Sequence, residues 1–386
     1  TVCCLRVITM DLTPEDALRI NVLLASQIEA IRLDESRMTL FALSQKGEAK
    51  VKLNPNCRDD AYLRKVRETL SSHVLGSPGG YPVYLKRWTR MGQARDEVLE
   101  SLLMLGEPEA VVAVVNATGV TDELARRAWW ASQTSDNARC MLQQAAVVNG
   151  EMGPVLADFL IEFLPFEEDA SSQIKTVSLV LQSDLVAEDV RTRIWKKGRL
   201  KNSYLVGFLQ TLPDALPEQR DAHPAYQAVA GKLSGLLAAE NPFAGQLCRL
   251  LSPAGQAYLD CVGAVLKKPS NQDVMVELMH AMAAYSCSLP VTMPRKFHIN
   301  DVARLSVEPG GGALADADAR QYLQALLDAL PEEENCIHAM LFLAMLAEPI
   351  LDPVFSRTDA IGTVMRKKLQ PVTEPINEQI RILRNA

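Results

Sequence analysis

The sequence predicts a mainly α protein, a helical-repeat (HEAT-like) array preceded by a small N-terminal α+β module. From Asp96 onward, apolar residues recur at helical spacing in segments of about ten to twenty residues, each closed by Gly or Pro. One segment occurs twice: Val120-Thr-Asp-Glu-Leu-Ala-Arg-Arg-Ala-Trp129 aligns with Val186-Ala-Glu-Asp-Val-Arg-Thr-Arg-Ile-Trp195, 66 residues further on. That offset is about twice the period of a helical-hairpin solenoid repeat. Aromatic residues make up only 5% of the chain, and abundant Leu, Ala, Glu, Gln and Arg favour helix over sheet.

Residues 1–9 read as an extension, because the first helix signal is Thr13-Pro-Glu-Asp16: a capping hydroxyl, Pro at the first helical position and acids in the first turn. Residues 30–34, 38–43 and 48–53 follow as strands of a small antiparallel sheet, with Gln45-Lys-Gly47 as the turn between the last two. Arg58-Asp-Asp60 opens a helix ending near His73, and Gly76-Ser-Pro-Gly-Gly-Tyr-Pro82 then forces a loop. The α+β module is expected over residues 10–95, the array over 96–290 and a C-terminal helical region over 291–386.

Within the array, Val111–Val115 carries strand-like β-branched density, yet Glu107-Pro-Glu109 ahead of it is a helix start, so a helix is expected. Residues 290–312, with Met293-Pro294 and Pro309-Gly-Gly-Gly312, read as the least regular stretch. In the last segment, Pro371 and Pro375 are expected to interrupt short helices.

The chain has 386 residues and net charge −7, with no global attraction to nucleic acid or membranes. Its eight cysteines include no Cys-x-x-Cys pair, which suggests reduced thiols in a cytoplasm. The apolar run Ala339–Ala347 is about half of what a bilayer span requires, so no membrane is expected.

Motifs for chemistry are sparse. Ser172-Gln-Ile-Lys175 and Ser135-Asp-Asn137 stand in the wrong order for a penicillin-binding enzyme, and no Lys-Thr-Gly follows. His73, His223, His280, His298 and His338 are scattered, and no metal or cofactor is expected. His280 and His338, beside Met and Ala on apolar helices, read as core or groove residues. Cys57 is the best chemical candidate: it lies in a turn just ahead of a helix, beside Arg58, where dipole and cation both favour thiolate. The nearby Asp59 and Asp60 oppose that effect.

Every tryptophan lies near basic residues. Arg87, Trp88 and Arg90 form one cluster, Arg126 to Trp130 a second, and Trp195 with Lys196, Lys197, Arg199 and Lys201 a third. On one face of an array they would offer stacking platforms and phosphate contacts for single-stranded RNA. The acidic total favours the plainer reading, tryptophans packed between helices under basic side-chain stems.

Four segments together resemble the DsrS family, soluble proteins encoded with the dissimilatory sulfite reductase (dsr) cluster of sulfur-oxidising bacteria. They are Met10-Asp-Leu-Thr-Pro-Glu-Asp16, Leu53-Asn-Pro-Asn-Cys-Arg58, residues 73–92 and Thr121-Asp-Glu-Leu-Ala-Arg-Arg-Ala-Trp-Trp-Ala131. The likeness is clearest over residues 10–213. It implies a cytoplasmic, non-enzymatic accessory or regulatory role in oxidising stored sulfur, without a cofactor, through a protein partner of that pathway or RNA. The alternative expectation is a sulfur carrier that holds a persulfide on Cys57.

Overall fold

The computed structural model describes residues 12–76, 96–292, 298–308, 314–356 and 362–384. The chain divides into two units, Thr1–Phe163 and Leu164–Ala386. That division falls inside the stretch 96–290 read from sequence as one array.

In the first unit, Thr13 caps helix α1 (Pro14–Leu24) by accepting the Asp16 N–H. Strands β1 (Ile28–Asp34), β2 (Thr39–Ser44) and β3 (Gly47–Lys52) form an antiparallel sheet in the order β1-β2-β3, and Ser44 pairs with Gly47 across the tight turn. Helix α2 (Asp59–Leu75) ends on Gly76 in the left-handed region, φ 71°. Ile20 of α1, Ile31, Leu40 and Val51 of the sheet, and Tyr62, Val66 and Leu70 of α2 close one apolar core. A polar knot ties it together. The fully buried Asp16 carboxylate accepts the Tyr62 hydroxyl at 2.5 Å and the Asn54 N–H at 2.7 Å, and its other oxygen has no partner. Burial, then the Asp16 hydrogen bond, pushes the Tyr62 hydroxyl up.

Five longer helices complete this unit, α3 (Asp96–Leu103), α4 (Pro108–Val115), α5 (Asp122–Ala131), α6 (Ser135–Met141) and α7 (Met152–Phe163), with a one-turn helix at Ala145–Val148 between α6 and α7. Val111–Val115 is therefore helical, with Glu107 at the N-cap and Pro108 at the first position. Helices α3 and α5 pack along β1. The Asp122 carboxylate accepts the N–H groups of Glu151 and Met152, both at 3.0 Å, and so caps α7.

The second unit is built on α8 (Ala170–Val180), α9 (Glu188–Gly198), α10 (Asn202–Thr211), α11 (Pro242–Leu251), α12 (Pro253–Lys267), α13 (Gln272–Tyr285), α14 (Ile299–Val307), α15 (Ala317–Ala329), α16 (Glu334–Ala344) and α17 (Gly362–Arg384). Helix α10, buried from Ser203 to Leu209, packs against α8, α9, α12 and α13. Asp169, Asn241, Ser252, Asn271 and Asp316 cap the N-termini of α8, α11, α12, α13 and α15. The run Ala339–Leu346 is buried core in and just past α16. Among the described residues no single helix is long and apolar enough to cross a membrane.

Two expectations are corrected here. Helix α14 lies within the stretch read as irregular, because Ile299, Val302 and Ser306 recur at helical spacing and are buried. Pro371 and Pro375 do not interrupt α17, which runs through both. Pro371 is exposed and Pro375 half-buried, while Val372, Ile376, Ile380 and Leu383 hold the opposite face in the core. The backbone carbonyls that the prolines leave without an N–H donor thus lie on the side open to water.

Both copies of the paired segment form helices, α5 and α9, and both tryptophans are buried. Trp129 stands edge-on to Phe159 at 4.7 Å, and Trp195 edge-on to Phe208 at 5.1 Å. The partners come from different places: Phe159 from α7, which follows α5 only after α6 and the short Ala145–Val148 helix, and Phe208 from α10, directly after α9.

Candidate functional site

Three adjoining hollows run along one side of the second unit. The first, about 320 Å³, is lined by Trp195 and Arg199 of α9 and its C-cap, Glu218 and Arg220, and Asp260 and Cys261 of α12. The second, about 760 Å³, shares Asp260 and Ala264 with it and adds Lys267 with the Glu374–Arg384 face of α17. The third, about 570 Å³, shares Glu378 and Arg381 and reaches His223, Glu333 and Cys336.

An alternating chain of charges crosses this groove. Arg199 donates to Glu218 at 2.9 Å, Arg220 donates to Glu218 at 3.0 Å and to Asp260 at 2.6 Å, and Arg384 reaches the other Asp260 oxygen at 2.8 Å. Burial would raise the Glu218 carboxyl, but hydrogen bonds from Arg199 and Arg220 outweigh it and hold it below the usual carboxylate range. The Asp260 hydrogen bond holds the Arg220 guanidinium above its ordinary range. The Trp195 Nε1–H at one end has no hydrogen-bond partner and is shielded from solvent.

At the far end, the Cys336 thiol donates to Glu333 at 3.5 Å. Burial, then the Glu333 charge and hydrogen bond, pushes that thiol up to about 12. Burial pushes the His223 imidazole down, and its Nδ1 accepts the Ala225 N–H at 3.2 Å. Cys336 and His223 line the same hollow, and burial disfavours the thiolate of the one and the imidazolium of the other, the reverse of an activated Cys–His pair, in which the cation stabilises thiolate. Among the described residues no three His, Cys, Asp or Glu side chains gather as a metal site.

The residues singled out from sequence are dispersed. Cys57 is half-buried against the first unit's core, its sulfur facing the Arg58 carbonyl at 3.7 Å, while the Arg58 guanidinium turns to Asp60 at 3.3 Å. Arg87, Trp88 and Arg90 lie outside the described residues. Lys196 and Lys197 are exposed on α9; Arg199 is drawn into the groove; Lys201 sits 5.8 Å over the Tyr204 ring. His280 is exposed rather than in the core, between Glu348 at 3.1 Å and Glu277 at 3.6 Å; His338 is half-buried, 3.8 Å from Glu334. Glu218, Arg220, Asp260, Arg384 and Cys336 carry no sequence signal, because they meet only when distant helices pack.

Comparison with protein-family models, with curated proteins and with solved structures finds no match to this chain.

Proposed function

We propose that the protein is a non-enzymatic accessory or regulatory protein of dissimilatory sulfur oxidation, working by binding a protein partner along the groove of its second unit. One observation carries the binding mode. Five cations of the groove, Arg199, Arg220, Lys267, Arg381 and Arg384, face six carboxylates, Glu218, Asp260, Glu332, Glu333, Glu374 and Glu378. Mixed charge of this kind suits a polypeptide, whereas RNA calls for a continuous basic track. Burial that disfavours the Cys336 thiolate supports a binding surface over a thiol-based catalytic one. The HEAT-like reading of the helical region belongs to this proposal, supported by the paired helices α5 and α9 with their buried tryptophans. Assignment to sulfur oxidation and to a cytoplasm rests on the DsrS-like segments.

Ala264 is exposed and borders two of the hollows, so Ala264→Trp fills the groove without entering the core. Tagged full-length chain, purified from a sulfur-oxidising bacterium grown on reduced sulfur, is expected to bring down a defined protein that Ala264→Trp loses. Cross-linked RNA in its place, or the same species with both chains, would overturn the reading.

A further inference from the structure

The groove leaves one charged surface of the second unit unused. Arg193, Lys196, Lys197 and Leu200 are spaced i, i+3, i+4, i+7, so they share one stripe on the outside of α9 and just past its end. They border a shallow hollow of about 590 Å³ that Glu188, Asp189 and Thr192 also line, with Glu188 turned to Arg191 at 3.6 Å. Leu200 is 91% exposed, more than any other large apolar side chain among the described residues. Among those residues no carboxylate pairs with Arg193, Lys196 or Lys197. Arg191 of the same helix, by contrast, is held by Asp184 at 2.6 Å and Glu188 at 3.6 Å. In a chain of net charge −7, three cations without a carboxylate partner beside an exposed leucine make a locally basic face.

The first copy of the segment shows what such a face takes. At the 66-residue offset, Arg127 corresponds to Arg193 and Trp130 to Lys196. On α5 this face is covered by the chain's own acidic side chains. Arg126 meets Glu29 of β1 at 2.7 Å, Arg127 meets Glu100 at 3.5 Å, and the Trp130 Nε1–H donates to Glu48 of β3 at 3.1 Å. The apolar part of Trp130 is covered as well, by the Arg32 guanidinium at 5.0 Å. Each donor on α5 therefore has a carboxylate brought from elsewhere in the fold, and the matching face of α9 has none.

We propose that the outer face of α9 docks an acidic segment of a partner polypeptide. Carboxylates of that segment meet Arg193, Lys196 and Lys197, and an apolar side chain beside them covers Leu200. The leucine selects a polypeptide over nucleic acid, because a phosphate backbone has no use for an isolated aliphatic side chain. This face shares no lining residue with the groove, so each can fail without the other.

The test is fluorescence anisotropy on the full chain with three labelled probes: a short peptide of Glu, Leu and Gly, its Gln-for-Glu counterpart, and oligouridylate. The Glu peptide is expected to bind and its Gln counterpart to bind far less. Lys196→Glu with Lys197→Glu should weaken the Glu peptide on the order of tenfold, and added salt should weaken it further. Leu200→Ser should weaken it several-fold, while Lys367→Glu with Lys368→Glu, exposed on α17, should leave it unchanged. Absence of Glu-peptide binding, or binding indifferent to the α9 substitutions, would overturn the proposal. So would oligouridylate binding that the lysine reversals abolish and Leu200→Ser does not touch.

Discussion

The Arg249 guanidinium lies 3.7 Å from the centre of the Tyr285 ring, which itself stacks on Tyr258 with centroids 3.8 Å apart. Arg249 also donates to Asp214 through Nε and Nη2, at 2.9 and 2.6 Å, and through Nη1 to the Tyr285 carbonyl at 2.9 Å. One planar cation thus joins α11, the end of α13 and the loop at Asp214. Arg249→Lys keeps the charge but loses the fork and the flat stack. Asp214 is half-exposed, so its ion pair contributes little, and most of the expected loss of about 2 kcal/mol comes from the stack and the carbonyl bond. Urea unfolding of the two chains measures it; equal midpoints would contradict it.

Glu123 sets an acid-side prediction. Hydrogen bonds from Arg126 and then Arg127 outweigh burial and hold its carboxyl at about 2, against an ordinary 4.5. A lowered carboxyl contributes stability that is present above about pH 4.5 and lost as pH falls through about 2. Because the side chain is 48% exposed, solvent screening limits the contribution to under about 1 kcal/mol. Glu123→Gln should therefore flatten the fall in unfolding midpoint across that window and change nothing between pH 6 and 8. An identical acid slope in both chains would show that the Arg126 and Arg127 pairs carry no stability.

These two cases mark what could be read in advance. The Glu123 cluster is local: acid and arginines stand three and four residues apart on one helix, as Thr13-Pro14 and the β2–β3 turn are local signals. Arg249, Asp214 and Tyr285 are not, and neither are Arg220, Asp260 and Arg384 of the groove; their neighbours are chosen by helix packing. The division after Phe163 has no linker composition to announce it. Helix α17 runs through its prolines because both lie toward the solvent side, and that follows from which face its apolar residues bury.

The cysteines give a third prediction. Cys287 is exposed, whereas Cys261 and Cys336 are buried and burial pushes both thiols up, Cys336 to about 12. At pH 8, alkylation mapped by mass spectrometry should mark Cys287 early and reach Cys261 and Cys336 only with unfolding. The same mapping after a persulfide donor tests Cys57. One added sulfur atom concentrated there would support the carrier reading, and even labelling or none would remove it.

Gly207 carries the last prediction, one of sign. It lies in α10, where an added Cβ would come within 2.7 Å of Val177 Cβ and 3.0 Å of the Ile174 carbonyl oxygen on α8. In a helix interior Ala is intrinsically better than Gly by about 1 kcal/mol, so the substitution begins with a gain. Overpacking against a neighbouring helix costs about 1–3 kcal/mol, and a backbone oxygen cannot rotate away as a long side chain can. The clash should win, leaving Gly207→Ala about 1 kcal/mol less stable. Gly245 in α11 has nothing within 4 Å of its would-be Cβ, so Gly245→Ala should show the intrinsic gain alone. Unfolding midpoints of the two variants should move in opposite directions from the parent. Movement in the same direction would mean that α8 and α10 separate readily, and that the close approach at Gly207 does not hold the second unit together.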